Sequence, residues 1–254
     1  MITVEDEDGV ARVWLSHGKA NLLDLEFCET FAERLDELAD EAAVVLTATG
    51  SIFSAGVDLV QIAEGGAKYV RAFLPAMRRL FERLLGFPRP LVVAMNGHAI
   101  AGGAVIVASA DRRIGARAAG RLGVPELRVG VPFPIVALEI VRRVVRPDRL
   151  DEVVLGASTD DPEWAQAVGL LDEVVDDPAS LLPRAVAVAS DLGGLRRGAF
   201  ETTKAALRAP SFERLRAGAA LDREVAAAWE KPETIAAIRD YVERTLRSEG
   251  GSRR

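Results

Sequence analysis

The sequence predicts an α/β fold in which short strands alternate with helices, followed by a helical C-terminal region. Three observations predict it. Ala43-Val44-Val45-Leu46 and Leu91-Val92-Val93-Ala94 are short apolar runs of β type, each leading through small residues into a helical pattern. The order strand, turn, helix recurs around residues 43–60, 91–110 and 112–145, without a period exact enough for a sequence repeat. From Pro183 onward the signal is nearly all helical.

The whole chain bounds the possibilities. Its 254 residues suffice for one large domain, or a core with a small appendage, and 49% hydrophobic content fits a globular protein rather than a disordered one. A formal net charge of -6 and the absence of a basic stripe with spaced aromatics argue against nucleic acid as a partner. Cys28 is the only cysteine, which excludes an intrachain disulfide and a cysteine metal cluster; it falls on an apolar helical stripe and reads as core. His17 and His98 are too few for a histidine-rich metal site. The acidic start Met1-Ile2-Thr3-Val4-Glu5-Asp6-Glu7-Asp8 is no signal peptide, and no apolar run reaches the roughly 18 residues of a membrane span. The expectation is a soluble cytoplasmic protein.

In chain order, Val10 to Leu15 reads as a strand that ends at Ser16-His17-Gly18-Lys19. Cys28, Phe31, Leu35 and Leu38 recur at three and four residues, marking an amphipathic helix from Leu25. Ala43 to Thr47 is the next strand, so strand, helix and strand form a crossover unit. Gln61 to Tyr69 is polar and carries glycines, and gives no clear pattern. Val70 to Leu85 is a helix with Phe73, Met77, Leu80, Phe81 and Leu84 on one face, stopped by Phe87-Pro88-Arg89-Pro90. After the strand at 91–94, a glycine turn leads into a buried helix from about Gly102, and Asp111 to Gly115 reads as a short strand. Pro134 starts a helix with Ala137, Ile140, Val141 and Val144 on one face, and Pro147 to Leu155 reads as another. Gly169 reads as a helix stop. Gly193-Gly194, Ala209-Pro210 and Lys231-Pro232 divide the helical C-terminal region.

Two turns carry chemistry. In Met95-Asn96-Gly97-His98-Ala99-Ile100-Ala101-Gly102-Gly103 the glycine pair admits a ligand close to the backbone, and the free N–H groups of a helix start face an anion or a developing oxyanion. The same glycines also serve close packing of helix on strand. Ile52-Phe53-Ser54-Ala55-Gly56-Val57-Asp58-Leu59 repeats the arrangement. Together the two turns resemble those of the crotonase, or enoyl-CoA hydratase/isomerase, superfamily. There an F-x-A-G-x-D-L turn and an N-G-x-x-x-x-G-G turn each give one backbone N–H to an oxyanion hole for a thioester enolate. Leu122-Gly123-Val124-Pro125-Glu126-Leu127-Arg128-Val129-Gly130 resembles the family's P-E-x-x-x-G segment across the active site, and Gly18 to Phe27 resembles its turn beside the CoA adenine, in the Δ3,Δ2-enoyl-CoA isomerase branch.

The resemblance implies a crotonase-like ββα superhelix over residues 1–195, and a C-terminal helical oligomerisation region over 196–254 that builds trimers or hexamers. It implies oxyanion donors at the N–H groups of Val57 and Gly102, with Gly103 one residue away as the alternative. It places the acyl-CoA along Lys19 and Ala20, the turn residues Ala55, Gly56, Asp58 and Leu59, and Gly103, Val105 and Phe133. Lys19 either reaches a CoA phosphate or is an exposed loop lysine; Lys204, in a T-K-A-x-L segment, is either structural or near CoA; His98 is either structural or a substrate contact.

One departure points to the reaction. Hydratases of this family flank a water with two glutamates. Glu126 matches one of them, and Val105 stands at the other position. A single carboxylate suffices to take a proton from C2 of a 3-enoyl-CoA and return it at C4. The expected activity is therefore Δ3,Δ2-enoyl-CoA isomerisation with Glu126 as the shuttle, its pKa raised by apolar neighbours such as Val105 and Phe133. No organic or metal cofactor is expected, because CoA is the carrier part of the substrate. The alternatives are a hydratase, whose second acid would come from around Glu64, another enolate reaction, or a non-catalytic acyl-CoA-binding oligomer.

Overall fold

The computed structural model describes residues 1–7 and 9–251; Asp8 of the acidic start and residues 252–254 of the C-terminal region lie outside the described residues. Strands β1 (Ile2–Glu7) and β2 (Val10–Leu15) form a hairpin, an antiparallel pair that begins the chain before the crossover helix α1 (Leu25–Glu37). Asp24 caps α1, accepting the Phe27 N–H, and Phe27, Cys28, Phe31 and Leu35 bury its apolar stripe.

Three units follow, and each gives one strand to each of two sheets before its helix. They are β3 (Ala43–Ala48), β4 (Ile52–Ser54) and α2 (Leu59–Leu85); β5 (Leu91–Met95), β6 (His98–Ile100) and α3 (Gly102–Ser109); and β7 (Arg112–Ala116) and β8 (Leu122–Gly123) with α4 (Glu126–Val129) and α5 (Ile135–Val144). A third short helix, α6 (Leu150–Val154), leads to β9 (Thr159–Asp160), α7 (Pro162–Val168) and β10 (Glu173–Val175). The larger sheet runs β1-β2-β3-β5-β7-β10 and is parallel from β2 onward; the smaller runs β4-β6-β8-β9, parallel except for β8 with β9. This is the expected ββα superhelix. Every residue of β3, β5 and α3 is buried, which accounts for unbroken apolar runs in place of a period.

The C-terminal helices are α8 (Pro178–Gly193), α9 (Arg197–Ala217), α10 (Ala219–Trp229) and α11 (Pro232–Gly251). Two expectations change. Residues 52–54 and 98–100, expected inside turns, are short strands that pair with each other. Helix α9 runs through Pro210, where a break was expected: Arg208, Ser211 and Leu215 are buried on either side of the proline, so packing holds the helix across the lost N–H. The unreadable stretch 61–69 belongs to α2, which kinks at Gly66 (φ 58°, ψ -153°). Among the described residues no helix is long and apolar enough to cross a membrane.

Candidate active site

The two glycine turns meet back to back. Gly56 has φ +86°, and a Cβ there would fall 2.7 Å from the Ile100 carbonyl oxygen and 2.8 Å from the Ala101 Cβ, so only glycine fits. Ala101 is itself held at φ 53°, a conformation that costs about 1–3 kcal/mol outside glycine and clusters at functional sites. Leu23 pins the first turn: its N–H donates to the Gly56 carbonyl (2.8 Å) and its carbonyl accepts the Asp58 N–H (3.0 Å). That pairing uses the groups on either side of Val57 and leaves its own N–H facing away. Gly102 is the first residue of α3, so its N–H has no carbonyl one turn back. Among the described residues, neither the Val57 nor the Gly102 N–H donates a hydrogen bond.

Glu126 opens the short helix α4 facing this junction. It lines two spaces: a cleft of about 350 Å3 lined by Val57, Asp58, Leu59, Ile100 and Val131 among others, and an inner void of about 10 Å3 that it shares with Val57, Gly102 and Val105. It is 8% exposed, and its Oε2 has no hydrogen-bond partner among the described residues. Burial without a counter-charge pushes its carboxyl up to about 8. The carboxylates lining the two spaces, among the described residues, are Glu126 and Asp58. Asp58 is engaged as the cap of α2: its Oδ1 accepts the N–H groups of Val60 (3.0 Å) and Gln61 (3.1 Å), and its Oδ2 accepts from the Gln61 amide (3.3 Å).

The structure therefore gathers Glu126, Val57, Gly102, Val105, Ala55, Asp58 and Leu59 at one place. The Ala20 carbonyl accepts the Ala55 N–H (2.9 Å), so Ala20 supports the turn from behind. Lys19 is exposed and lines neither space. Three expected contacts are corrected. A Cβ on Gly103 would lie 2.3 Å from the Ser54 carbonyl oxygen, so this glycine lets α3 pack on β4 instead of facing the cleft. Gly56 lines neither space, because it is pressed against the second turn. Phe133 is buried but lines neither space; Trp229, whose indole N–H donates to the Pro132 carbonyl (2.9 Å), fills that side of the segment.

Lys204 and His98 are both engaged within the fold. Lys204 donates to the Arg89 carbonyl (2.8 Å) and to Asp111 (2.5 Å), and lines neither space. His98 Nδ1 accepts the Arg121 N–H (3.0 Å) while its ring covers Gly120. Glu64 is exposed on α2, outside the cleft. Sequence reading missed Trp229, Tyr241 and Val242, which reach the cleft from the end of α10 and the middle of α11. No local motif marks them. Among the described residues, no three His, Cys, Asp or Glu side chains converge as a metal site.

A family model described as enoyl-CoA hydratase/isomerase matches residues 5–247. Among known proteins, a crotonyl-CoA hydratase of Syntrophomonas wolfei is 27% identical over 210 residues, covering 81% of this chain and 80% of that protein. An enoyl-CoA hydratase of Mycobacterium ulcerans superposes with a TM-score of 0.81 at 30% identity, over 90% of this chain and 99% of that chain. Human mitochondrial delta3-delta2-enoyl-CoA isomerase superposes with a TM-score of 0.91 over 97% of this chain and 98% of its own, and at 24% identity the likeness is one of fold. The similar proteins thus carry both reaction names.

Proposed function

Because the chain belongs to the enoyl-CoA hydratase/isomerase family, we propose that it shifts the double bond of a 3-enoyl-CoA to give the 2-trans-enoyl-CoA. The observation that carries this reading is the carboxylate count. Among the described residues two acids line the cleft and the void, and one of them, Asp58, is engaged as a helix cap. Water addition needs a held water and two proton-transfer steps on opposite sides of it. A 1,3-proton shift needs one base that can also return the proton.

In this mechanism the thioester carbonyl sits between Val57 and Gly102 and accepts both N–H groups. Charge that moves onto the oxygen as C2 loses its proton is stabilised by donors already in place, and losing one such donor typically costs about 3 kcal/mol. Glu126 takes the proton from C2, holds it, and delivers it to C4. A carboxyl pushed up to about 8 is a stronger base than a solvated one, which narrows the gap to the carbon acid. The apolar wall at Val105 leaves a water poorly held, which favours proton return over hydration. The reaction requires no metal or organic cofactor, and CoA enters as part of the substrate. Assembly into a trimer or hexamer through the C-terminal helices is part of the same proposal.

The test follows the absorbance of the conjugated enoyl thioester with 3-hexenoyl-CoA and, separately, with crotonyl-CoA. A rise with the first and no change with the second is expected. A fall with crotonyl-CoA overturns the single-carboxylate mechanism in favour of hydration. Tight binding of both thioesters without any change identifies a non-catalytic binding protein.

A further inference from the structure

A third space lies behind the site. It is a groove of about 340 Å3 between α2 and α10, floored by Leu74, Pro75, Met77, Val136, Val225 and Ala226. Two ion pairs join α2 to α10 along it, Arg71 with Glu230 (2.8 Å) and Arg78 with Asp222. The groove is continuous with the active site in its walls: Met77 and Pro134 line both the groove and the inner void, and Trp229 lines the groove, the void and the cleft. Cleft, void and groove therefore lie in series, separated by a partition in which Trp229 is the largest side chain.

Resting on the acyl-CoA reading above, we infer that Trp229 is a specificity-determining plug that limits the length of the acyl chain. The void behind Glu126 measures about 10 Å3, at the lower limit for a single water, so no alkyl chain passes while the partition stands. Trp229 is 2% exposed and tied at its indole N–H to the Pro132 carbonyl (2.9 Å). It is held from the backbone side of the segment that follows Glu126, which fixes the plug relative to the base. The substrate class is accordingly a short-chain acyl thioester whose tail ends in the cleft. Without the indole, the apolar groove becomes the extension of the acyl site. The chemistry of its floor fits an alkyl tail, and the two ion pairs border it.

The test compares hexanoyl-CoA and dodecanoyl-CoA binding by calorimetry in the wild type and in Trp229→Ala. The wild type should bind dodecanoyl-CoA no more tightly than hexanoyl-CoA, within about threefold at most. Trp229→Ala should bind the longer thioester at least tenfold tighter, since about two newly buried methylenes suffice for that factor. Met77→Ala opens the same partition from α2 and keeps the test decisive if the tryptophan variant does not fold. A wild type that already prefers dodecanoyl-CoA tenfold, or equal binding of both thioesters in the opened variants, overturns the plug. Failure to bind either thioester in the wild type overturns the acyl-CoA reading itself, so the two failures are distinct.

Discussion

The protein holds acidic side chains, partly or wholly buried, in two very different ways. At the junction of the core with α9, Asp111 accepts from Lys204 (2.5 Å), Arg208 (2.6 Å) and the Leu91 N–H (2.9 Å). Asp172 nearby accepts from the Arg113 side chain (2.5 Å) and backbone (2.8 Å). At the cleft, Glu126 is buried with no opposite charge, and one of its oxygens has no partner among the described residues. Burial opposes the charge in both places. It lowers Lys204 to about 8, against the pull of Asp111, and it raises Glu126 to about 8 with no charge to oppose it. An acid buried among partners fastens two parts of a fold together. An acid buried alone weakens the fold when ionised, and under the proposed mechanism its position is explained by the proton it exchanges.

The first way to break this contrast is to remove each acid. Glu126→Gln keeps the shape and abolishes the exchangeable proton. Turnover of 3-hexenoyl-CoA should fall by about three orders of magnitude or more, roughly 4 kcal/mol of barrier, while the thermal midpoint holds or rises. Asp111→Asn should do the reverse. It leaves Lys204 and Arg208 buried around an uncharged amide, and removing one partner of a buried ion pair costs about 3–5 kcal/mol, read from urea unfolding. At a temperature where the variant is folded, its kcat should stay within about threefold of wild type. A catalytic loss in Asp111→Asn matching that of Glu126→Gln would erase the distinction between the two regions.

The contrast also explains what was legible in the sequence. The turn at Ala55-Gly56-Val57-Asp58 and the Gly102-Gly103 pair are local, because a helix start and a close backbone approach demand those residues at those positions. Glu126 was legible through its P-E-x-x-x-G segment. Trp229 and Tyr241 were not, since tertiary packing brings them to the cleft from far along the chain and no spacing encodes it. The reading of Phe133 as a cleft wall failed for the same reason: the wall is supplied by a distant tryptophan. Helix α2 was obscured over 61–69 by Gly65 and Gly66, whose kink interrupts the period that a straight helix would show. The Pro210 break failed because packing on both sides of α9 outweighed propensity.

A smaller effect, one of slope, sharpens the contrast through pH. Glu126 works as a base only when ionised, so kcat/KM should climb about tenfold per pH unit on the acid side and level off near pH 8. Stability should run the other way. The carboxyl ionises near its ordinary 4.5 in the unfolded chain and near 8 in the fold, so between those values the folded state holds more protons. The unfolding free energy then falls as pH rises through that window, by at most about 1.4 kcal/mol per pH unit from this group. Urea titrations of the wild type should carry this contribution, and Glu126→Gln should lack it. Identical pH dependence in the two proteins would mean that Glu126 is not buried alone in solution.

Asp58 gives the smallest effect and the sharpest question, because it combines the two regions: it lines the cleft like Glu126 and is partnered like Asp111. If partners decide the role, Asp58 is structural despite its address. Asp58→Ala should then lose about 1 kcal/mol of stability, the usual cost of an N-cap that holds two backbone N–H groups. It should also loosen the turn that presents the Val57 N–H, so a fall in turnover of less than about tenfold is expected, and Asp58→Asn, which keeps the cap, should restore it. Neither variant should change the product formed from a 3-enoyl thioester. If location decides instead, Asp58→Asn should lose turnover as severely as Glu126→Gln, because an amide caps a helix but carries no proton for exchange. That outcome would make Asp58 the second acid, and a two-carboxylate mechanism would replace the single shuttle.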